Sequence, residues 1–192
     1  MELIFASQNE GKIKEVQKIF EDKNIKILSL KDIGFVKEIV EDSDTFEGNA
    51  FIKAKTIYEK YKLPVIADDS GLEVLQLNNR PGVFSARYAG EDATYKENNI
   101  KLLGELDKYP QPHKAQFVCC AVYLDSEKKI SQFGKLEGEI IKEFKGENGF
   151  GYDPIFKPDG YEITLAEMSL KEKNRISHRA NAFNLLKNKI FA

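Results

Sequence analysis

Three apolar residues, Val65-Ile66-Ala67, stand between Leu63-Pro64 and the polar stretch Asp68-Asp69-Ser70-Gly71. The run is too short for a buried helix and shows no polar alternation, so it predicts a strand buried on both faces. Helical patterns alternate with strands on its upstream side, which suits a mixed sheet flanked by helices. Upstream, Thr45 opens a helical pattern in which Phe46, Ala50, Ala54, Ile57, Tyr58 and Tyr61 recur on one face, ended by Leu63-Pro64. Asn49, Lys53, Thr56 and Lys60 line the neighbouring stripe. Earlier still, Leu3 to Ala6 reads as a strand, and a helix follows it with Ile13, Val16, Ile19 and Phe20 inward. Ile25 to Leu28 and Phe35 to Val40 predict a second and a third strand.

Downstream, Leu72 to Leu77 continues extended, and Asn78 to Gly82 reads as a loop. Thr94 to Leu106 reads as a helix. Ala115 to Leu124 is a strand that Ile130 to Leu136 joins as a hairpin. Gly146 to Gly151 is a glycine-rich loop, and Leu165 to Glu172 a short helix or turn. Ile176 to Ile190 is a closing helix that starts at Ser177, with Ala182, Leu185, Leu186 and Ile190 inward. The expectation is an α/β fold: a twisted mixed sheet flanked by helices, with a cleft against a smaller hairpin-bearing lobe. A chain of 192 residues suits one domain, 1–192, with two lobes.

Composition removes several classes. A net charge of −2 lacks the basic excess of a nucleic-acid-coating protein. Cys119 and Cys120 are adjacent in an apolar run, face opposite ways on a strand, and read as two small core residues. His113, between Pro112 and Lys114, reads as an exposed loop residue. No stretch reaches the length of a spanning helix, and the first residues carry no signal-peptide pattern, so the expectation is a cytoplasmic protein with no membrane partner.

Five segments carry chemistry. Ser7-Gln8-Asn9-Glu10-Gly11-Lys12 is a strand-to-helix loop, where backbone N–H groups, a helix dipole and a lysine suit a polyphosphate. Equally, Ser7 or Asn9 merely caps the helix and Lys12 is solvated. Asp68-Asp69 at the end of a buried strand are costly unless solvated, hydrogen-bonded or holding a hard cation such as Mg²⁺. Adjacent strand residues face opposite ways, so one acid is expected to face the cleft. Glu41-Asp42-Ser43-Asp44 supplies either helix caps or a further metal carboxylate. Gly149-Phe150-Gly151-Tyr152-Asp153-Pro154 offers an aromatic face for a base. Lys173 and Ser177-His178-Arg179 add donors near the last helix. Together the phosphate loop, the carboxylate pair, the stacking loop and the His-Arg pair ask for a nucleotide.

In combination these segments resemble the inosine triphosphate pyrophosphatases, also called HAM1-like. The family opening Ser/Thr-x-Asn-x-x-Lys is met by Ser7, Asn9 and Lys12, and A-D-D-S-G-L by Ala67 to Leu72. P-G-x-x-S-A-R is met by Pro81, Gly82, Ser85, Ala86 and Arg87, and G-F-G-Y-D-P by Gly149 to Pro154. K-x-x-I-S-H-R is met by Lys173 and Ile176 to Arg179. One departure stands out: where T-F-x-E-N-A is usual, Gly48 replaces the glutamate, at a helix cost of about 0.5–1 kcal/mol.

The resemblance implies a Mg²⁺-dependent enzyme, a homodimer, with a small-molecule nucleotide in the cleft. It converts ITP, dITP or XTP to the monophosphate and pyrophosphate, which clears deaminated purines before they enter DNA or RNA. Ser7, Gln8, Asn9, Glu10, Gly11, Lys12 and Lys53 would hold the triphosphate. Glu41 and Asp69 would hold the metal, with Asp69 also the base, a task Asp68 can share. Ser70 would touch phosphate or sugar. Phe150 would stack on the purine, framed by Gly151, Tyr152, Asp153, Lys173, His178 and Arg179. Arg179 and backbone N–H groups are the candidate donors to the 6-oxo oxygen. A pyrophosphatase for other modified or pyrimidine triphosphates, and a nucleotide sensor without turnover, are the alternatives.

Overall fold

Leu3, Ile4 and Phe5 are buried, and that run forms β1 (Glu2–Phe5) of the computed structural model, which describes residues 1–21 and 25–191. Both neighbours of β1 are parallel to it. Ile4 pairs with Leu28 of β2 (Lys26–Ser29) on one side and with Val65 of β3 (Val65–Val74) on the other. A strand with parallel partners on both sides and no exposed face has no use for polar alternation, as its sequence shows.

The seven-stranded sheet runs β2-β1-β3-β5-β6-β7, with β4 (Arg80–Pro81) antiparallel against the end of β3. β5 is His113–Leu124 and β6 is Lys129–Ile140. Asp125 N–H donates to the Lys128 carbonyl in the turn that joins them. β7 (Phe156–Pro158) lies antiparallel to β6. The helices are α1 (Glu10–Phe20), α2 (Phe46–Tyr61), α3 (Tyr95–Leu106), α4 (Leu170–Ile176) and α5 (His178–Ile190). The mixed, helix-flanked sheet is the one expected. No helix among the described residues is long and apolar enough to cross a membrane.

The chain divides into two compact units. Unit 1 comprises Met1–Asp69, Cys119–Gly134 and Ser177–Ala192. Its core gathers Phe5, Val16, Phe20, Ile66 and Ala121 around Phe183, whose ring meets Phe5 and Phe20 edge-on with centroids 5.8 and 6.1 Å away. Unit 2 comprises Ser70–Val118 and Lys135–Ile176, with Leu72, Leu102, Leu106, Ile155 and the Phe117–Phe156 ring pair at its centre.

Four local expectations change. The segment 35–40 is not a strand: Phe35 is buried but spends its N–H on the Leu30 carbonyl in a turn, and Val36 and Val40 face solvent. β3 does not end at Ala67 but runs ten residues to Val74, because ion pairs compensate its two acids. His113 is buried as the first residue of β5, its Nδ1 2.7 Å from Gln76 Oε1. On α5, Leu185 is exposed and Phe183 takes the inward place.

Candidate active site

β1 ends at Phe5, opposite Ile66, so the chain beyond it turns away while β3 continues. The carboxyl end of a parallel strand is where α/β sheets present ligand-binding loops. There, Asn9 N–H donates to Ser7 Oγ, and Asn9 Oδ1 accepts from Lys12 N–H at 3.0 Å as the N-cap of α1. Gln8 lies exposed with its amide 3.5 Å from the Lys37 carbonyl, Glu10 is exposed at the helix start, and Gly11 is half-buried beside it. Asn9 is thus the cap, but Lys12 is not solvated: its Nζ lies 3.1 Å from Asp68 Oδ2.

Asp68 and Asp69 point to opposite sides of β3, as the pleat requires. Asp68, 1% exposed, faces Lys12, Arg179 Nε at 3.1 Å and Cys119 Sγ at 3.7 Å, all on Oδ2, while Oδ1 is buried without a hydrogen-bond partner. Burial opposes its charge, but the Lys12 ammonium, then Arg179 and Lys53, outweigh that and hold its carboxyl far below the ordinary range. Burial also pushes the Cys119 thiol well up, with Asp68 adding to it, so Cys119 is a neutral neighbour. Asp69 turns to α2, where Asn49 Nδ2 donates to its Oδ2 at 3.0 Å and Lys53 Nζ stands 4.0 Å from Oδ1. The same Lys53 donates to Glu41 Oε2 at 2.7 Å. Burial works against the Lys53 charge, but Asp69 and Glu41 prevail and raise its pKa.

Arg179 is 1% exposed and donates from Nη1 to Glu15 and from Nε to Asp68. Burial disfavours its charge, yet Asp68 and Glu15 keep it firmly protonated. His178 is buried beside it as the first residue of α5, which Ser177 caps by accepting from Ala180 N–H. Unit 1 therefore gathers Lys12, Lys53 and Arg179 against Glu15, Glu41, Asp68 and Asp69, three cations and four carboxylates.

The metal question turns on this donor set. Among the described residues no three His, Cys, Asp or Glu side chains cluster as a ready-made cage. Mg²⁺, however, takes one or two protein carboxylates and completes its shell with water and phosphate oxygens. Glu41 and Asp69, two hard-oxygen donors joined through one lysine, fit that requirement, and the one-carboxylate excess of the cluster favours a cation.

Unit 2 holds the other expected residues. Ser70 is half-buried in β3. Lys173 and Asp153, both buried, form an ion pair, and Asp153 Oδ2 also accepts Phe150 N–H at 2.8 Å. Lys173 Nζ lies 4.8 Å from the centroid of the half-buried Phe150 ring. Gly149 is required here: φ is +74°, and a Cβ would lie 2.1 Å from Asp153 Oδ2. Gly151 has φ +64°, and Tyr152 is buried with its hydroxyl donating to the Ser85 carbonyl at 2.9 Å.

Sequence reasoning missed Glu15, Tyr95 and Asn99. Glu15 had a signal, since it stands three residues after Lys12 and four before Ile19, on the inward side of α1. Tyr95 and Asn99 had none, because their partners lie 52 or more residues away in sequence.

The mixed sheet with helices over it, carrying a cluster of cations and acids in one unit and an aromatic ring beside a lysine in the other, places the chain in the class of α/β proteins. Within that class the chain belongs to the Ham1 family, whose sequence profile matches residues 3–189. It is 47% identical over 191 residues to the dITP/XTP pyrophosphatase of Thermoanaerobacter pseudethanolicus, covering 99% of this chain and 96% of that one. Among solved structures, a HAM1 protein from Coxiella burnetii matches with a TM-score of 0.89 at 39% identity, over 100% of this chain and 98% of that one. The Staphylococcus aureus Ham1 protein matches with a TM-score of 0.87 at 40% identity, over 99% and 98%.

Proposed function

We propose that this chain hydrolyses ITP, dITP and XTP to the monophosphate and pyrophosphate, and does so with Mg²⁺. The observation that carries the reading is the split of adjacent β3 acids between two lysines, Lys12 on Asp68 and Lys53 on Asp69 and Glu41. The activity named for the Thermoanaerobacter relative supports the substrate class.

In this reading the loop from Ser7 to Lys12, with Lys53, takes the triphosphate. Water attacks the α-phosphorus, the bond to the bridging oxygen breaks, and pyrophosphate leaves. Lys12 and Lys53 stabilise the charge gathering on that leaving group. Asp69 accepts the water proton and is held toward it by Asn49. Asp68, kept ionised by Lys12 and Arg179, fixes the Lys12 ammonium, and the same two cations make it a poorer proton acceptor than Asp69. Glu41 and Asp69 would hold Mg²⁺, which when bound adds Lewis-acid stabilisation of phosphoryl oxygens.

Ser70 contacts phosphate or sugar, and Phe150 stacks on the purine with Gly151, Tyr152, Asp153 and Lys173 around it. His178 and Arg179 are assigned to the nucleoside end as well. The burial of Arg179 between Glu15 and Asp68 makes backbone N–H groups of the 149–153 loop the stronger candidates for the 6-oxo oxygen. Adenine presents a 6-amino donor there and is rejected because two donors would face each other. The same reading makes the chain a cytoplasmic homodimer, which light scattering checks.

The test is pyrophosphate release from ITP, dITP, XTP, dUTP, dTTP, ATP and GTP with Mg²⁺. Turnover of the first three ahead of the others is expected. Turnover of dUTP or dTTP alone selects the pyrimidine alternative, and binding of ITP with no release selects the sensor.

A further inference from the structure

Two buried asparagines stand side by side on α3, each 2% exposed, and they address different loops. Asn98 donates to the Ala86 carbonyl at 2.9 Å and accepts from Ala89 N–H at 2.7 Å. Asn99 donates from Nδ2 to the Gly151 carbonyl at 3.0 Å, across 52 residues of sequence. One helical turn before Asn99, on the same face, Tyr95 sets its ring 6.1 Å from the Phe150 ring at a 40° tilt. The start of α3 is itself fixed by a Thr94–Glu97 capping box, with Glu97 Oε2 accepting from Thr94 N–H.

The Gly151 contact has a directional consequence. A trans peptide is planar, with its C=O and N–H pointing opposite ways. Holding the Gly151 carbonyl against α3 therefore aims the following N–H, that of Tyr152, away from α3. Gly151 sits at φ +64° with nothing within 4 Å of where a Cβ would stand. Asp153 N–H closes the turn on the Phe150 carbonyl at 3.3 Å, and within that turn the glycine leaves the orientation of its peptide to Tyr152 without a Cβ to restrict it, so the Asn99 hydrogen bond adds to the turn in favouring the plane observed. The Phe150 ring is in turn flanked by Lys173 and by Tyr95.

We propose that α3 is the positioning element for purine recognition, with Asn99 orienting the Gly151–Tyr152 peptide and Tyr95 bracing the Phe150 ring. The ligand chemistry it serves is a flat 6-oxo purine, which offers a face for stacking and a carbonyl for a peptide N–H. This rests on the reading of Phe150 as the base platform. Asn99 and Tyr95 touch no reacting atoms, so their effect falls on binding of the base and not on the phosphoryl step.

The test compares Asn99→Leu, Asn99→Asp, Tyr95→Leu, Asn98→Leu and Phe150→Ala in the full chain, with ITP and Mg²⁺. Asn99→Leu and Asn99→Asp are expected to raise KM about five- to tenfold with kcat within about twofold, the effect of one misdirected hydrogen bond. Tyr95→Leu is expected to raise KM about threefold with little loss of Tm, because Tyr95 is 46% exposed. Asn98→Leu unpairs two backbone groups and is expected to cost at least as much Tm as Asn99→Leu while leaving KM within about twofold. If Asn98→Leu and Asn99→Leu raise KM alike, in step with their loss of Tm, the role is structural and the proposal is overturned. If Phe150→Ala raises KM and neither Asn99 nor Tyr95 variants do, the positioning role is wrong and the base platform stands. If Phe150→Ala leaves KM unchanged, the base platform fails and takes the proposal with it.

Discussion

Replacing Arg179 by Met tests whether the buried ion network is a structural charge balance. Arg179 Nη1 lies 2.6 Å from Glu15 and Nε 3.1 Å from Asp68, with all three side chains at 3% exposure or less. Methionine fills much of the volume but removes the positive charge. Losing one partner of a buried pair costs about 3–5 kcal/mol, because the remaining charge is already desolvated. Lys12 still compensates Asp68 at 3.1 Å, so the expected loss lies at the lower end, about 3–4 kcal/mol. For a chain of this length that is a Tm drop of about 6–16 °C.

The pH dependence gives a sharper check. In the native protein the Asp68 carboxyl is depressed, so its stabilisation is present above the ordinary unfolded value and is lost only as pH falls through the folded one. Without the guanidinium, the Glu15 and Asp68 carboxyls titrate higher in the folded state and can take up a proton instead of remaining charged. The gap between native protein and variant, measured by urea unfolding, should therefore narrow as pH is lowered from about 8 to about 5. Adding Glu15→Gln to Arg179→Met should return at least about 1 kcal/mol. A loss under about 1 kcal/mol, or a gap that does not change with pH, would refute the charge-balance account.

Four further outcomes follow from the same geometry. Asp69→Asn should lower kcat at least about 100-fold with Tm nearly unchanged, and near-normal turnover would remove Asp69 from the proton transfer. Gly48→Ala would place a Cβ 1.9 Å from Ser43 Oγ, so Ser43 must move; kcat/KM should fall about tenfold with little change in Tm, and unchanged kinetics would show that Ser43 does not matter. Chelation should stop pyrophosphate release and added MgCl2 restore it with the circular dichroism constant throughout, whereas turnover that survives chelation contradicts the metal assignment. Burial lowers the His113 pKa, with Lys142 adding to it, so folding disfavours the charged ring; stability should fall as pH drops below about 6.5, and His113→Asn should flatten that slope in pH-dependent unfolding.

What could be read in the sequence was what local chemistry sets. Thr45, Thr94 and Ser177 cap the helices that their residue types announce, and each accepts an N–H from three residues on. The apolar run at Val65 correctly places a buried strand, which lies parallel to β1, and the two acids after it fall beside the loop that starts at Ser7. The length of β3 was hidden. Acids and a glycine at 68–71 look like a strand end, and they remain in the ladder only because Lys12, Lys53 and Arg179 arrive from three other elements. The inverse error at 35–40 has the same root: Phe35 and the two valines look like a strand, but a turn takes the backbone and leaves the valines no partner. His113 shows it once more, since its burial depends on Gln76, 37 residues away.

The departure at Gly48 reads differently once the neighbouring residues are in place. As a sequence feature it is a weak helix position that lacks an expected acid. In the fold, Ser43 occupies the space over Gly48, and from there its N–H donates to Asn49 Oδ1 at 2.9 Å. That bond fixes which end of the Asn49 amide faces β3, so Nδ2 points at Asp69 Oδ2. A larger residue at 48 would displace Ser43 and free the amide to turn. The glycine thus serves the orientation of Asp69 through two hydrogen bonds, and the cost of about 0.5–1 kcal/mol to the helix is offset by the Thr45 cap directly before it, which accepts Gly48 N–H at 3.0 Å. The missing acid leaves the carboxylate set of the cluster intact, because Glu41 and Asp69 reach Lys53 from outside the first turn of α2.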